Sequence, residues 1–159
     1  MHAERVRSAL SERGVPFEVH EHAYAVTAQE VAAAEHRSGW QVAKPVFLWA
    51  EGELVMLVVP AALEVDLDLA AVALGIRRAR LRLATETEFA DRFPDCDTGA
   101  EPPFGNLYDM TVFADERLLV QPEITFSLGR HDEAATIPVE DYLAMVEPRR
   151  VEVGTPAPA

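Results

Sequence analysis

The sequence predicts an α+β fold: a single domain with a mixed, mostly antiparallel sheet and helices around it. Three observations carry that prediction. Strand-patterned stretches outnumber helical ones. The helical stretches fall between strands irregularly, without the one-for-one alternation of a parallel α/β sheet. No repeat, heptad or internal linker divides the chain. With 159 residues, 49% of them hydrophobic, the chain can bury one sizeable core. The domain is expected over residues 1–154, with a frayed Pro/Ala tail over 155–159.

Residues 2–12 read as a helix, with Val6 and Leu10 on one face. Gly14 stops it and Pro16 prevents continuation. Phe17-Glu18-Val19-His20-Glu21 alternates as a short half-buried strand. Thr27-Ala28-Gln29-Glu30 is a capping-box pattern opening an alanine-rich helix to Glu35. Val42–Ala50 and Leu54–Pro60 are apolar runs around Glu51-Gly52-Glu53, the clearest hairpin in the chain. Pro45 lacks an N–H, so it belongs at a strand start or an unpaired edge, and it holds Lys44 extended. Val65–Leu69 leads into a helix ending at Leu74 before Gly75. Residues 80–84 alternate as a strand, and Thr85 caps a helix to Arg92.

Residues 93–106 form a loop long for a compact domain. Its Gly99-Ala100-Glu101-Pro102-Pro103-Phe104-Gly105 core joins permissive glycines to restrictive prolines, which implies a fixed shape. Such a loop is either a rigid connection or a pocket wall presenting backbone N–H groups. Strands are expected at 108–113, 118–121, 124–128 and 134–137, with a turn at Asp115-Glu116 and a polar turn at Gly129–Glu133. A helix follows over 138–145, and Val151–Val153 reads as a last edge strand.

Composition excludes several function classes. No apolar run approaches the roughly 20 residues of a membrane helix. Met1–Arg5 shows no signal-peptide core, so a cytoplasmic location without membrane contact is expected. Cys96 is the sole cysteine, which rules out an internal disulfide. His20, His22 and His36 lack a familiar metal spacing, so neither metal nor cofactor is expected. A net charge of −13 argues against general nucleic-acid binding. It leaves room for a local basic stripe, since Arg77, Arg78, Arg80 and Arg82 fall within six residues. That stripe is either a solvated edge balancing nearby acids or a phosphate-contacting surface.

Lys44 is the only lysine, and the other 13 of the 14 basic residues are arginine. An ammonium retained in that background marks a place where the two cations differ, since lysine is a compact charge with a shiftable pKa. The competing reading is a strand-end side chain snorkelling to water.

The Thr-capped alanine-rich helix, the Val42-Ala43-Lys44 strand start, the hairpin, the Asp-rich helix start and the Gly99–Gly105 loop come in a recognisable order. Gly129-Arg130-His131 and Val139-Glu140-Asp141-Tyr142-Leu143 complete it. Together they resemble the YbaK/ProX family of aminoacyl-tRNA deacylases, the prolyl-tRNA synthetase editing-domain (INS) superfamily. The resemblance covers roughly residues 3–150. It implies hydrolysis in trans of the ester joining a wrong amino acid to a tRNA 3′ end. Lys44 would be the family's essential lysine, Gly99 and Pro103 the ends of its Gly-x-x-x-P loop, and His131 part of the late substrate-lining turn. Pro45 follows the lysine where several subfamilies carry a small or polar residue.

No nucleophile with a partnered base is apparent, and an activated ester needs only a positioned water and a stabilised oxyanion. The expected catalytic set is therefore Lys44 with backbone N–H groups of Gly99 and Ala100. Glu101, Pro102, Pro103, Phe104 and His131 are the expected substrate-binding residues, around a small side chain of the Ala, Ser or Thr type. The expected partner is the 3′ acceptor end of an aminoacyl-tRNA, with a synthetase as a second candidate, and the chain is expected to be a monomer or weak dimer. The alternative is a non-catalytic binding module that retains the fold and holds an aminoacyl or nucleotide end, or a protein partner. A lysine Schiff-base enzyme ranks last, because no phosphate-cradling glycine loop accompanies Lys44.

Overall fold

The computed structural model describes residues 2–156. Helix α1 (Glu4–Glu12) buries Val6 and Leu10, and Gly14 follows it at φ 68°. Strand β1 (Glu18–Glu21) is more exposed than its alternation implies, with only His20 partly covered. In α2 (Ala28–Ala34), Thr27 and Glu30 close the expected capping box, with the Glu30 N–H donating to Thr27 Oγ1 at 3.1 Å. Strands β2 (Ala43–Ala50) and β3 (Glu53–Pro60) form the hairpin. Both turn residues, Glu51 and Gly52, take positive φ (51° and 85°), as a tight two-residue hairpin requires.

Strand β4 (Leu63–Val65) leads into α3 (Leu67–Leu74), whose first N–H groups are capped by Asp66 and whose end is marked by Gly75 at φ 70°. Strand β5 (Leu81–Leu83) and α4 (Glu86–Phe89) precede the long loop, which ends in a 3₁₀ turn over Gly105–Tyr108. Strand β6 (Thr111–Asp115), α5 (Glu116–Leu119), β7 (Glu123–Ser127), β8 (Glu133–Pro138), α6 (Val139–Val146), β9 (Arg149–Val151) and β10 (Gly154–Pro156) complete the chain.

The strands make a five-stranded sheet in the order β5-β2-β3-β6-β9, a three-stranded sheet β1-β8-β7 and a β10-β4 pair. Among the described strand pairs only β3-β6 and β6-β9 are parallel, so the mixed, mostly antiparallel character is as expected. Pro45 lies near the start of β2, and β5 pairs only with Leu48–Ala50, so that edge needs no N–H from Pro45. The main core fills one face of the large sheet, where Phe47, Met56 and Val58 meet Phe104, Tyr108, Phe126 and Tyr142. The other face packs Leu48, Leu57 and Val59 against Ala70 and Ala71 of α3. A third cluster of small residues, Ala25, Ala32, Val42, Ala61 and Ala134, seals α2 onto the seam between the sheets.

Several expectations need correction. Val151–Val153 is not one strand, since β9 ends at Val151 and β10 begins at Gly154, and the strand expected from Tyr108 begins only at Thr111. Residues 118–121 are not a strand: Asp115 caps α5 by accepting from the Arg117 N–H at 3.0 Å, which commits the following residues to a helical turn. Residues 155 and 156 are not frayed, because Thr155 pairs with Glu64 and Pro156 with Leu63. Gly154 makes that pairing possible, since a Cβ there would lie 2.8 Å from Leu63 Cβ. The remainder of the expected tail, residues 157–159, lies outside the described residues.

Candidate functional site

The long loop is fastened at several backbone groups. Gly99 takes φ 93°, and a Cβ there would meet the His131 ring at 3.2 Å. Its N–H donates to both oxygens of the Glu101 carboxylate, at 3.0 and 3.2 Å. The Ala100 N–H donates to Asp97 O (3.0 Å), and Ala100 O accepts from the Gly129 N–H (2.9 Å). The Tyr142 hydroxyl donates to Pro103 O at 2.7 Å. His131 Nε2 lies 3.1 Å from Thr98 O; a carbonyl only accepts, so that nitrogen carries the proton. The β7–β8 turn and the loop thus form one unit. Burial pushes the Glu101 carboxyl above the usual carboxylate range, opposed by the N–H groups of Glu101 and Gly99 and by His131.

These contacts sort the expected site residues. Gly99, Glu101 and His131 come together at the surface end of the loop. Ala100 is fully buried with its N–H engaged by backbone, so its donor is not open as expected. Pro102 and Pro103 are buried, and Phe104 packs edge-on against Phe126 and Tyr142 at centroid distances of 5.3 and 5.4 Å. The Phe104 ring therefore belongs to the core and lines no open pocket, because the loop folds inward over the large sheet.

Lys44 is half-buried, and its ammonium donates to Leu63 O at the start of β4. Burial lowers its pKa, partly opposed by the nearby Glu64 carboxylate. Among the described residues no hydrogen bond joins Lys44 to residues 98–103. The link is indirect. Lys44 shares a side of β2 with Val42, which packs with Ala25, and the Ala25 N–H donates to His131 O at 2.9 Å. His131 then abuts Gly99.

Tyr24 was not legible as a site residue. Its ring is 71% exposed and lies 5.1 Å from the His131 ring. An aromatic between a strand and a capping box carries no sequence mark separating surface from core.

Other candidates resolve simply. His20 bridges Glu18 and Glu35, at 3.0 Å each. Among the described residues no cluster of His, Cys, Asp or Glu could hold a metal. Burial beside Asp95 pushes the Cys96 thiol well up, which suppresses the thiolate a nucleophile needs. Arg78 pairs with Asp68 and Arg82 with Glu88, whereas Arg77 and Arg80 are exposed with no acid in ion-pair range among the described residues. An open groove lined by Trp49, Arg80, Arg82 and Glu88 lies at the far end of β2. Trp49 is five residues from Lys44, about 16 Å along a strand, so that groove is separate from the Lys44 ammonium.

The family model of the aminoacyl-tRNA editing domain matches residues 22–145, well over half of the chain. The chain belongs to the aminoacyl-tRNA editing domain family. A relative in Escherichia coli (strain K12), the multifunctional Ser/Thr-tRNA deacylase ProXp-y, is 30% identical over 151 residues, spanning 93% of this chain and 90% of its own. A solved structure described as a candidate trans-editing enzyme for prolyl tRNA synthetase superposes with TM-score 0.80 at 26% identity, covering 96% of each chain. The hypothetical protein APE2540 shares the fold, with TM-score 0.82 at 18% identity over 96% of this chain and 100% of its own. The editing-domain match includes Lys44, the Gly99–Pro103 loop and His131, and no helix among the described residues is long and apolar enough to cross a membrane.

Proposed function

We propose that this chain hydrolyses, in trans, the ester joining a small amino acid to the 3′ end of a mischarged tRNA. The observation that carries the reading is the anion-holding loop: in an editing-domain chain, the Gly99 N–H already grips a carboxylate beside His131. A carboxylate and the oxyanion of ester hydrolysis make the same demand on a donor. Serine and threonine are favoured by the relative named for Ser/Thr-tRNA deacylation, and alanine shares their small size.

Water attacks the ester carbonyl carbon, and the carbonyl electron pair moves onto oxygen. The Gly99 N–H, once free of Glu101, donates to that oxyanion. The bond to the tRNA 3′ oxygen then breaks and a proton from water ends on it, giving free amino acid and intact tRNA. No covalent enzyme intermediate forms. Lys44 supplies a compact positive charge for the terminal nucleotide, and its lowered pKa leaves general-base work as a secondary role. Tyr24 offers a face on which the terminal base stacks. The acceptor end is the only partner this chemistry requires, so a monomer or weak dimer suffices.

The test is a panel of tRNAs mischarged with alanine, serine and threonine. The wild-type chain is expected to release at least one of them. Lys44→Ala is expected to lower kcat/KM by about 100-fold, on the scale of a lost charge-stabilising group. Lys44→Arg is expected not to restore it, since the planar fork cannot replace a point charge. Arginine at wild-type rate would remove Lys44's special role, and no ester loss across the panel would remove the hydrolase reading. A non-catalytic binding module is the second reading. The net charge of −13 and the internal engagement of the Ala100 N–H favour it.

A further inference from the structure

We infer that the Glu101 carboxylate is the receptor for the α-ammonium group of the aminoacyl ester, and that taking the ammonium releases the Gly99 N–H for the ester carbonyl. The inference rests on the proposed substrate class. Glu101 is 5% exposed, yet no arginine, lysine or histidine among the described residues lies within ion-pair range of it. A buried carboxylate without a cation is costly, and such groups are normally paired. The nearby titratable groups are His131 and Glu86, and Glu86 is itself acidic. Among the described residues, no side chain supplies the positive charge that would complete the site.

An aminoacyl ester supplies that charge at the right place. Its amine sits on the carbon next to the carbonyl, so the groups recognising the two must be neighbours. Glu101 Oε1 and the Gly99 nitrogen are 3.0 Å apart. The carboxylate is held by chain stiffness as well. Pro102 restricts the Glu101 backbone to extended conformations, and the Tyr142 hydroxyl fixes Pro103 O. In the free protein the side chain turns back on the loop and satisfies the Gly99 N–H. That contact keeps the donor occupied until a cationic amine draws the carboxylate away. Burial also disfavours the ionised acid, a cost that an arriving ammonium offsets. An ester whose amine is blocked would gain neither the charge pair nor the freed donor.

The experiment uses two non-hydrolysable probes, 3′-seryl-amido-3′-deoxyadenosine and its N-acetyl derivative, titrated calorimetrically into the full chain. Wild type is expected to bind the free amine at least about ten-fold tighter, about 1.4 kcal/mol. In Glu101→Gln the gap is expected to fall below about two-fold. Glu101→Asp keeps the charge with a shorter reach and is expected to fall between, so the ordering survives if the glutamine variant folds poorly. Equal binding of both probes by wild type overturns the inference. So does an undiminished gap in both variants, or no binding of either probe. The ester panel separates this from the hydrolase reading. Amine preference without ester loss leaves the receptor and removes the enzyme, whereas ester loss without amine preference does the reverse.

Discussion

Lys44 and Gly99 differ in how their surroundings constrain them. Lys44 keeps one strong partner, Leu63 O, and a lowered pKa, so its ammonium is held at the start of β4 without being locked into an ion pair. Gly99 is fixed by backbone geometry, because φ 93° disfavours any side chain and the His131 ring fills the space a Cβ would need. Phe104 carries a sharper consequence. It is adjacent to the loop's last proline, but it is 0% exposed and touches Phe126 and Tyr142. Phe104→Ala is expected to cost about 3–5 kcal/mol of stability, read as a shift in the denaturant midpoint. Phe104→Leu is expected to keep activity. A change in amino-acid preference at unchanged stability would show instead that the ring contacts substrate.

At the scale of elements, local chemistry explains most boundaries. The Thr27/Glu30 capping box, the Glu51-Gly52 turn and the Asp66 cap each place a helix or hairpin where residue types demand it. The failures were short apolar runs. Leu118-Leu119-Val120 fits strand or helix equally in pattern, and the Asp115 side chain decides. That carboxylate is fully buried and also accepts from the Val153 and Gly154 N–H groups at 3.0 and 3.2 Å, tying β6 to the C-terminal strands. His20 makes a comparable tie between β1 and α2. Hydrogen bonds to Glu18 and then Glu35 raise its pKa above the usual histidine value. A raised histidine pKa gives stability that is full below the unfolded value and lost as pH rises through the folded one. His20→Gln is therefore expected to destabilise the chain at about pH 5.5 and to have little effect at about pH 9. Equal urea midpoint shifts at both pH values would show that the ring acts by packing alone.

Over the whole molecule, a body of net charge −13 must meet a polyanion. That repulsion disfavours tight contact over a broad face, so tRNA affinity is expected to come from the acceptor end and a few local cations. Arg77 and Arg80 are the exposed members of the stripe with no acidic partner among the described residues, on the β5 side of the sheet. The salt dependence of tRNA binding is expected to be shallow. Replacing Arg77 or Arg80 with serine is expected to reduce the slope of log K against log salt by about one each. Hydrolysis of a short aminoacyl-adenosine ester should be unchanged by either. A slope unaffected by both variants would place the tRNA on another face.

By itself the sequence determined the α+β class, the caps, the hairpin and the stiffness of the Gly99–Pro103 loop, because each follows from residues within a few positions of one another. It also marked Lys44 through composition alone. Only the tertiary structure decided that β10 pairs with β4, that Phe104 turns into the core, and that Glu101 is buried with no cationic side chain in ion-pair range among the described residues. Those outcomes depend on which distant segments exclude water from a given side chain. Burial of that kind is settled by the packing of the whole chain, and no local pattern encodes it.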